Sequence, residues 1–241
     1  MKDLEAKRIE EIPLPNRYSD PVLLRHTHEI TDAIPEDKIL RIETAELVAS
    51  LWRPGNKVLD LGAGQGDSSL PLLQKHSEIK VDLVDVSSES IEQAKERLAP
   101  FAERLTFVAK DALAYLLEAK KHQIIFADLV VHNFPNDDKR RLLKAIYENL
   151  TSDGVFINAD KILPDDEKEA QEMHDAQMQK YREKLSPEVA EAIIAHETED
   201  MRQPYRTTES EFVQMLQGAG FEKVRMIKRV KRSAIILASK L

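Results

Sequence analysis

The sequence predicts a doubly wound α/β protein: a mostly parallel seven-stranded sheet with a C-terminal antiparallel hairpin, N-terminal helices and a helical lid insertion. Three observations carry this. From Asn56 onward, short runs rich in Val, Ile and Leu alternate with segments of helical period, the pattern of successive βαβ units. The first run leads straight into the glycine-rich turn Gly62-Ala63-Gly64-Gln65-Gly66. The last two runs have only Lys231 and Arg232 between them, a link too short for anything but an antiparallel hairpin.

The strands are expected at Lys57–Leu61, Lys80–Val86, Leu105–Lys110, Gln123–Asp128 and Gly154–Asp160, followed by the hairpin runs Glu222–Val230 and Ser233–Ser239. Between them, Ser88–Leu98 puts Ile91, Ala94 and Leu98 on one face behind an N-cap at Ser87 or Ser88. Asn136 is placed to cap a helix whose Leu142, Ile146 and Leu150 form one stripe, and Asp153-Gly154 then turns the chain into the next strand. Two regions break the alternation. In residues 1–55, the N-terminal helical cap, Asp20-Pro21 opens one helix while Ile39, Ile42 and Leu47 line another. Leu163–Thr208 is a charged, helix-rich insertion after the fifth strand's carboxyl end, where open α/β sheets bind ligands, so a mobile lid is expected there.

Composition narrows the function. Thirty-five basic against 43 acidic residues give a net charge of −8, which disfavours nucleic acid as a partner. The cluster Lys228, Arg229, Lys231 and Arg232 reads as a charged hairpin tip and edge. No apolar run reaches the ~20 residues of a membrane span, and no secretory leader is readable at the start, so the expected compartment is the cytoplasm. With no cysteine, thiolate nucleophiles and cysteine zinc sites are excluded. His26, His28, His76, His122, His174 and His196 read as surface or lid residues, and no metal is expected. Oligomeric state is left open, a homodimer included.

The chemistry concentrates at the carboxyl ends of the expected strands. In Val58-Leu59-Asp60-Leu61-Gly62-Ala63-Gly64-Gln65-Gly66, the glycines let the backbone approach a ligand and the next helix offers free N–H groups. The spacing is G-x-G-x-G, not the G-x-G-x-x-G of dinucleotide sites. Asp85 ends the next strand 19 residues after Gly66, where an acid can accept both hydroxyls of a ribose, followed by Val86. Lys110-Asp111-Ala112 closes the third strand, where a carboxylate and an N–H can read an adenine edge.

Taken in order, these motifs resemble the class I S-adenosylmethionine-dependent methyltransferases over residues 56–241. The resemblance implies a Rossmann-like domain with S-adenosyl-L-methionine as cofactor, held by Asp60, Gly62, Ala63, Gly64, Asp85, Val86, Asp111, Ala112 and Asp128. The exit of the fourth strand, Asp128-Leu129-Val130-Val131-His132-Asn133-Phe134, is where this family meets the methyl acceptor, so His132 and Asp128 are the expected catalytic residues. The [Asn/Asp]-Pro-Pro-aromatic signature of nucleobase amino-methylases is absent, which favours a small-molecule acceptor. Pro71 departs from the pattern by falling inside the first helix.

Residues 18–61, from Tyr18-Ser19-Asp20 through His28-Glu29-Ile30 to Leu61-Gly62, more loosely resemble the carboxy-S-adenosylmethionine synthases, which modify the cofactor itself. Those enzymes hold the added carboxylate with a lid arginine. Counting back from Ala219-Gly220-Phe221 puts Glu197 at that position, with Arg202 just downstream. An acid there repels a carboxylate, so plain methyl transfer is preferred over carboxy transfer, and both over a non-catalytic cofactor-binding role.

Overall fold

The computed structural model describes residues 20–118 and 121–240. The first nineteen residues of the expected N-terminal cap, Tyr18 and Ser19 among them, lie outside the described residues. The strands are β1 (Val58–Leu61), β2 (Val81–Asp85), β3 (Leu105–Ala109), β4 (His122–Asp128), β5 (Leu150–Lys161), β6 (Lys223–Val230) and β7 (Ser233–Ser239). They form one sheet in the order β3-β2-β1-β4-β5-β7-β6. β1 to β5 run parallel, and β7 pairs antiparallel with both β5 and β6. Strand order reverses beside β1, so the exits of β1 and β4 are neighbours at the switch point where doubly wound sheets open a crevice.

Both faces of the sheet are covered. α3 (Pro35–Leu51) and α4 (Ser69–Lys75) bury Leu40, Ala45, Val48, Leu72 and Leu73 against one face, joined by Leu98 at the end of α5 (Ser88–Arg97). α6 (Ala112–Glu118), α7 (Asn136–Asn149) and α10 (Glu209–Ala219) bury Leu113, Leu142, Ile146, Phe212 and Leu216 against the other. The predicted N-cap at Ser87 is present, its hydroxyl accepting from the Ser90 N–H at 3.1 Å.

Outside the sheet lie α1 (Pro21–Arg25), capped by Asp20, and α2 (Thr27–Ala33), with the inserted helices α8 (Glu167–Lys184) and α9 (Pro187–Asp200). The insertion begins and ends at one place: the Leu163 N–H donates to the Thr207 carbonyl and the Glu209 N–H to the Leu163 carbonyl. Its helices share a small core with the N-terminal ones, formed by Leu23, Ile30, Ala33, Ile34, Met178, Tyr181, Val189 and Ile193. Lys180 of α8 also meets Glu36 of α3 at 2.6 Å.

Several local expectations are corrected. On α3 the buried face is Leu40, Thr44 and Val48, while Ile39 and Ile42 are exposed and Leu47 is only half-buried. Asn136 does not cap α7, because its amide bonds to Gln203 and the Arg206 carbonyl and so ties the helix start to the end of the insertion. β5 starts at Leu150, four residues before the expected start at Gly154. Pro71 is harmless, since α4 begins only at Ser69 and the proline sits in its first turn, where no intrahelical partner is required. Arg232 is not an exposed hairpin cation but is buried under the insertion.

Removing the middle of the shared helical core should loosen the insertion from the N-terminal helices. Ile193→Ala is expected to cost about 2–4 kcal/mol in urea unfolding. A loss within experimental error would mean that the two helical segments do not stabilise one another.

Candidate functional site

The sequence-predicted residues meet along the carboxyl edge of β1, β2, β3 and β4. Gly62 has φ +77°, and a Cβ there would stand 2.5 Å from Val130 Cγ2, so the turn needs glycine for both conformation and space. At Gly64 a Cβ would meet nothing within 4 Å, so the backbone borders open room for a ligand. Asp85 bridges the turns, its carboxylate accepting from the Gly64 N–H at 2.8 Å and the Ser87 N–H at 2.9 Å. Val86 beside it is 60% exposed, an apolar side chain without cover. Asp111 accepts from the Ala114 N–H at 3.0 Å and so opens α6, with Ala112 half-buried next to it.

Asp60 and Asp128 close the inner end of this crevice. Asp60 is buried and Asp128 half-buried with both carboxyl oxygens out of solvent, near the ends of adjacent strands, and burial pushes the Asp128 carboxyl up to about 8 and that of Asp60 up to about 7. Asp60 accepts from the Ser69 hydroxyl at 2.6 Å, which partly offsets the rise. Neither Asp128 oxygen makes a well-formed hydrogen bond, and neighbouring Asp60 and Asp37 raise it further against the pull of Arg41 and of the nearby Ser68 hydroxyl. An unsatisfied buried carboxyl is costly, and a cationic group with N–H donors would satisfy it. Leu129, the next residue, holds a left-handed φ of 58°, a strained backbone at the strand exit.

Two residues of this neighbourhood come from α3 and went unread in the sequence. Arg41 lies 3.8 Å from Asp67 and within electrostatic reach of Asp60 and Asp128. Asp37 is half-buried, and desolvation of its carboxyl pushes it to about 6 despite nearby Lys161. Neither stands in a motif, so only the three-dimensional path of α3 reveals them.

Beyond Asp128 the chain makes a short 3₁₀ turn, Val131–Asn133, and His132 enters the interior. Its Nδ1–H donates to Asp160 Oδ1 at 2.6 Å, and its backbone N–H donates to Asp160 Oδ2 at 3.0 Å. Burial alone would raise Asp160, but His132 and the backbone donors hold it below the usual carboxylate range. This orients the imidazole and fixes the proton on Nδ1, leaving Nε2 as the reactive nitrogen. Asp160-Lys161 at the end of β5 was a readable signal, a charged pair closing an otherwise apolar strand.

Around this dyad lies an ionic network under the insertion. Lys161 meets Glu197 at 2.9 Å and Asp200 at 3.1 Å, and Arg232 meets the other Glu197 oxygen at 2.9 Å. The Tyr181 hydroxyl also donates to Glu197, at 3.3 Å. Glu197 is held at about 2: burial opposes its charge, and the two cations outweigh burial. Arg202, by contrast, is exposed.

The expectation for the histidines fails at His122, while His174 and His196 lie in the insertion as expected of lid residues, though buried. His122 is buried in β4 and bonded to Asn149 and Asp82. His196 and Asp200 are one turn apart on α9, and with His132 they place three ligand-type atoms within 4.8 Å of one another, where no metal set was expected.

Residues 58–154 match the protein family described as methyltransferase domain. The chain is 31% identical over 189 residues to the carboxy-S-adenosyl-L-methionine synthase of Campylobacter curvus, covering 76% of each chain. To that of Nautilia profundicola it is 28% identical over 188 residues, 77% of each. Among solved structures, the plantazolicin methyltransferase BpumL in complex with SAH superposes with a TM-score of 0.67 at 16% identity, covering 100% of this chain and 97% of that one. Among the described residues, no helix is long and apolar enough to cross a membrane.

The raised carboxyls have a measurable consequence without any ligand. A carboxyl whose folded value exceeds its unfolded 3.8 binds a proton in the folded state only, so stability falls as pH rises from about 4 to the folded value. For Asp128 that window ends near 8. Asp128→Asn should therefore be more stable than wild type by an amount growing from pH 5 to pH 9, to on the order of a few kcal/mol. A variant whose urea midpoint tracks wild type at both pH values would show that Asp128 is not held neutral.

Proposed function

Because the chain belongs to the class I S-adenosylmethionine-dependent methyltransferase family, in company with the carboxy-S-adenosyl-L-methionine synthases, we propose that it transfers a methyl group to a small-molecule acceptor placed against His132. The supporting observation is the buried His132–Asp160 pair at the exit of β4, directly past Asp128. S-adenosyl-L-methionine is the cofactor of this family, and when bound it supplies an electrophilic sulfonium methyl.

The chain's own residues divide the work. Asp128 and Asp60 take the amino group of the methionine moiety, which gives the two unsatisfied Asp128 oxygens their donors. Arg41 is the cation available for its carboxylate. Gly62, Ala63 and Gly64 leave room for the methionine chain, and Asp85 accepts from the ribose with the lone pairs that Gly64 and Ser87 do not use. Val86 and Ala112 flank the adenine, covering the exposed valine, and Asp111 meets its edge. At the other end, His132 Nε2 takes the acceptor's proton as the new bond forms, and Asp160 stabilises the resulting imidazolium. The helices α1 to α3 with α8 and α9 are the cover that keeps water from this end.

The ionic network favours methyl over carboxy transfer. An added carboxylate needs a cation to receive it, and Lys161 and Arg232 are both already paired with Glu197. The net charge of −8 and the missing [Asn/Asp]-Pro-Pro-aromatic signature favour a small acceptor over nucleic acid.

The test is a screen of small hydroxyl and amine compounds for formation of S-adenosylhomocysteine, followed by kinetics with the acceptor found. His132→Ala is expected to lower kcat by ~10²-fold or more and Asp160→Asn by ~10-fold or more, with cofactor affinity nearly unchanged. Loss confined to KM would reduce His132 to an acceptor-holding group. Unaltered kinetics in both variants, or a cofactor product carrying the mass of an added carboxyl group, would overturn the proposal.

A further inference from the structure

We propose that His132, His196 and Asp200 form a binding site for a divalent first-row transition-metal cation at the acceptor end of the crevice. The three side chains come from two elements, the 3₁₀ turn after β4 and α9 of the insertion, and each is more than nine-tenths buried. Each can offer one ligand atom, and these atoms lie within 4.8 Å of one another. At metal–ligand bonds of ~2.1 Å, tetrahedral ligands stand ~3.4 Å apart, so side-chain rotations of about 1 Å complete the set. His196 and Asp200, at i and i+4, face the same way from consecutive turns of α9.

A second, independent feature points to the same ligand. Histidines that bind metals donate their other ring N–H to a carboxylate, and His132 does so to Asp160 at 2.6 Å, with Nε2 left for the cation. Charge also favours a cation. Buried Asp160, Glu197 and Asp200 and half-buried Asp37 stand with buried Arg232 and half-buried Lys161, and even with Arg41 included the carboxylates outnumber the cations. Lys161 does not need Asp200, because it keeps Glu197 at 2.9 Å when Asp200 turns to the cation. A crevice of about 290 Å³ between α8, the start of α3 and the β6–β7 turn reaches Asp37 and Arg232, though none of the three ligands lines it.

Two imidazoles and one carboxylate suit zinc-like or manganese-like cations rather than calcium, and three protein ligands leave a position open. With the cation bound, His132 Nε2 is a ligand and no longer the base; the cation takes over that role by lowering the proton affinity of an acceptor oxygen in the open position, whose proton then passes to water before transfer. The inference thus goes beyond the methyl-transfer reading, and binding of the cation is read without cofactor or acceptor.

The test is titration of the chelator-treated full chain with Co²⁺, followed by the visible absorption of bound Co²⁺, and with Zn²⁺ by calorimetry. One equivalent is expected to bind, His196→Gln and Asp200→Asn each weakening it at least ~10-fold and Asp160→Asn by ~10-fold or more. His174→Ala, a change at another buried insertion histidine, should leave binding intact. S-adenosylhomocysteine affinity, measured on the same samples, shows that the variants are folded and tests the cofactor reading separately. Absence of stoichiometric Co²⁺ binding by wild type, or equal binding by the variants that still bind S-adenosylhomocysteine, would overturn the site.

Discussion

Everything at the site depends on two carboxyls kept out of water. Asp60 and Asp128 lie near the ends of adjacent parallel strands, with the Asp60 side chain and both Asp128 oxygens out of solvent. The cost is carried by protonation, with Asp128 near 8 and Asp60 near 7, and by the Ser69 hydroxyl on Asp60. A cationic ligand group removes that cost, so folding leaves part of its free energy to be recovered on binding. The strained Leu129 and the clash-limited Gly62 shape the same few residues around Asp128.

The second half of the site is built by elements that the sheet alone would not bring together. α3 carries Asp37 and Arg41 inward, β5 ends in Asp160 and Lys161, and the insertion brings Glu197, Asp200 and His196. The buried ion pairs contribute specificity more than stability, because desolvation of Lys161, Arg232 and Glu197 consumes much of their attraction. They fix where α9 stands over His132, and the shared core of Leu23, Ile30, Tyr181 and Ile193 fixes the N-terminal helices to it.

Much of the sheet was legible because burial on both faces demands continuous apolar runs, and the Ser233–Ser239 strand matches to the residue. The residues expected on the cofactor side come together at one edge of the sheet, and a glycine turn and strand-end acids could mark them because both are local features. What escaped was set by tertiary structure. The face of α3 was misread because Ile39 and Ile42 are apolar yet exposed, while Thr44 is polar yet buried. Asn136 looked like a cap and instead holds the end of the insertion. Asp37 and Arg41 carry no local signal at all, whereas the His196–Asp200 spacing and the Asp160-Lys161 strand end did carry one that the surface-or-lid expectation for the histidines left unused.

The central claim is that Asp128 is neutral until a cationic cofactor group ionises it. Calorimetry of S-adenosylhomocysteine binding at pH 7, repeated in two buffers of different ionisation enthalpy, measures the protons exchanged on binding. The account predicts release of roughly one proton per chain, since a carboxyl near 8 must ionise to pair with the amino group. Binding with no proton exchange, or with proton uptake, would contradict it.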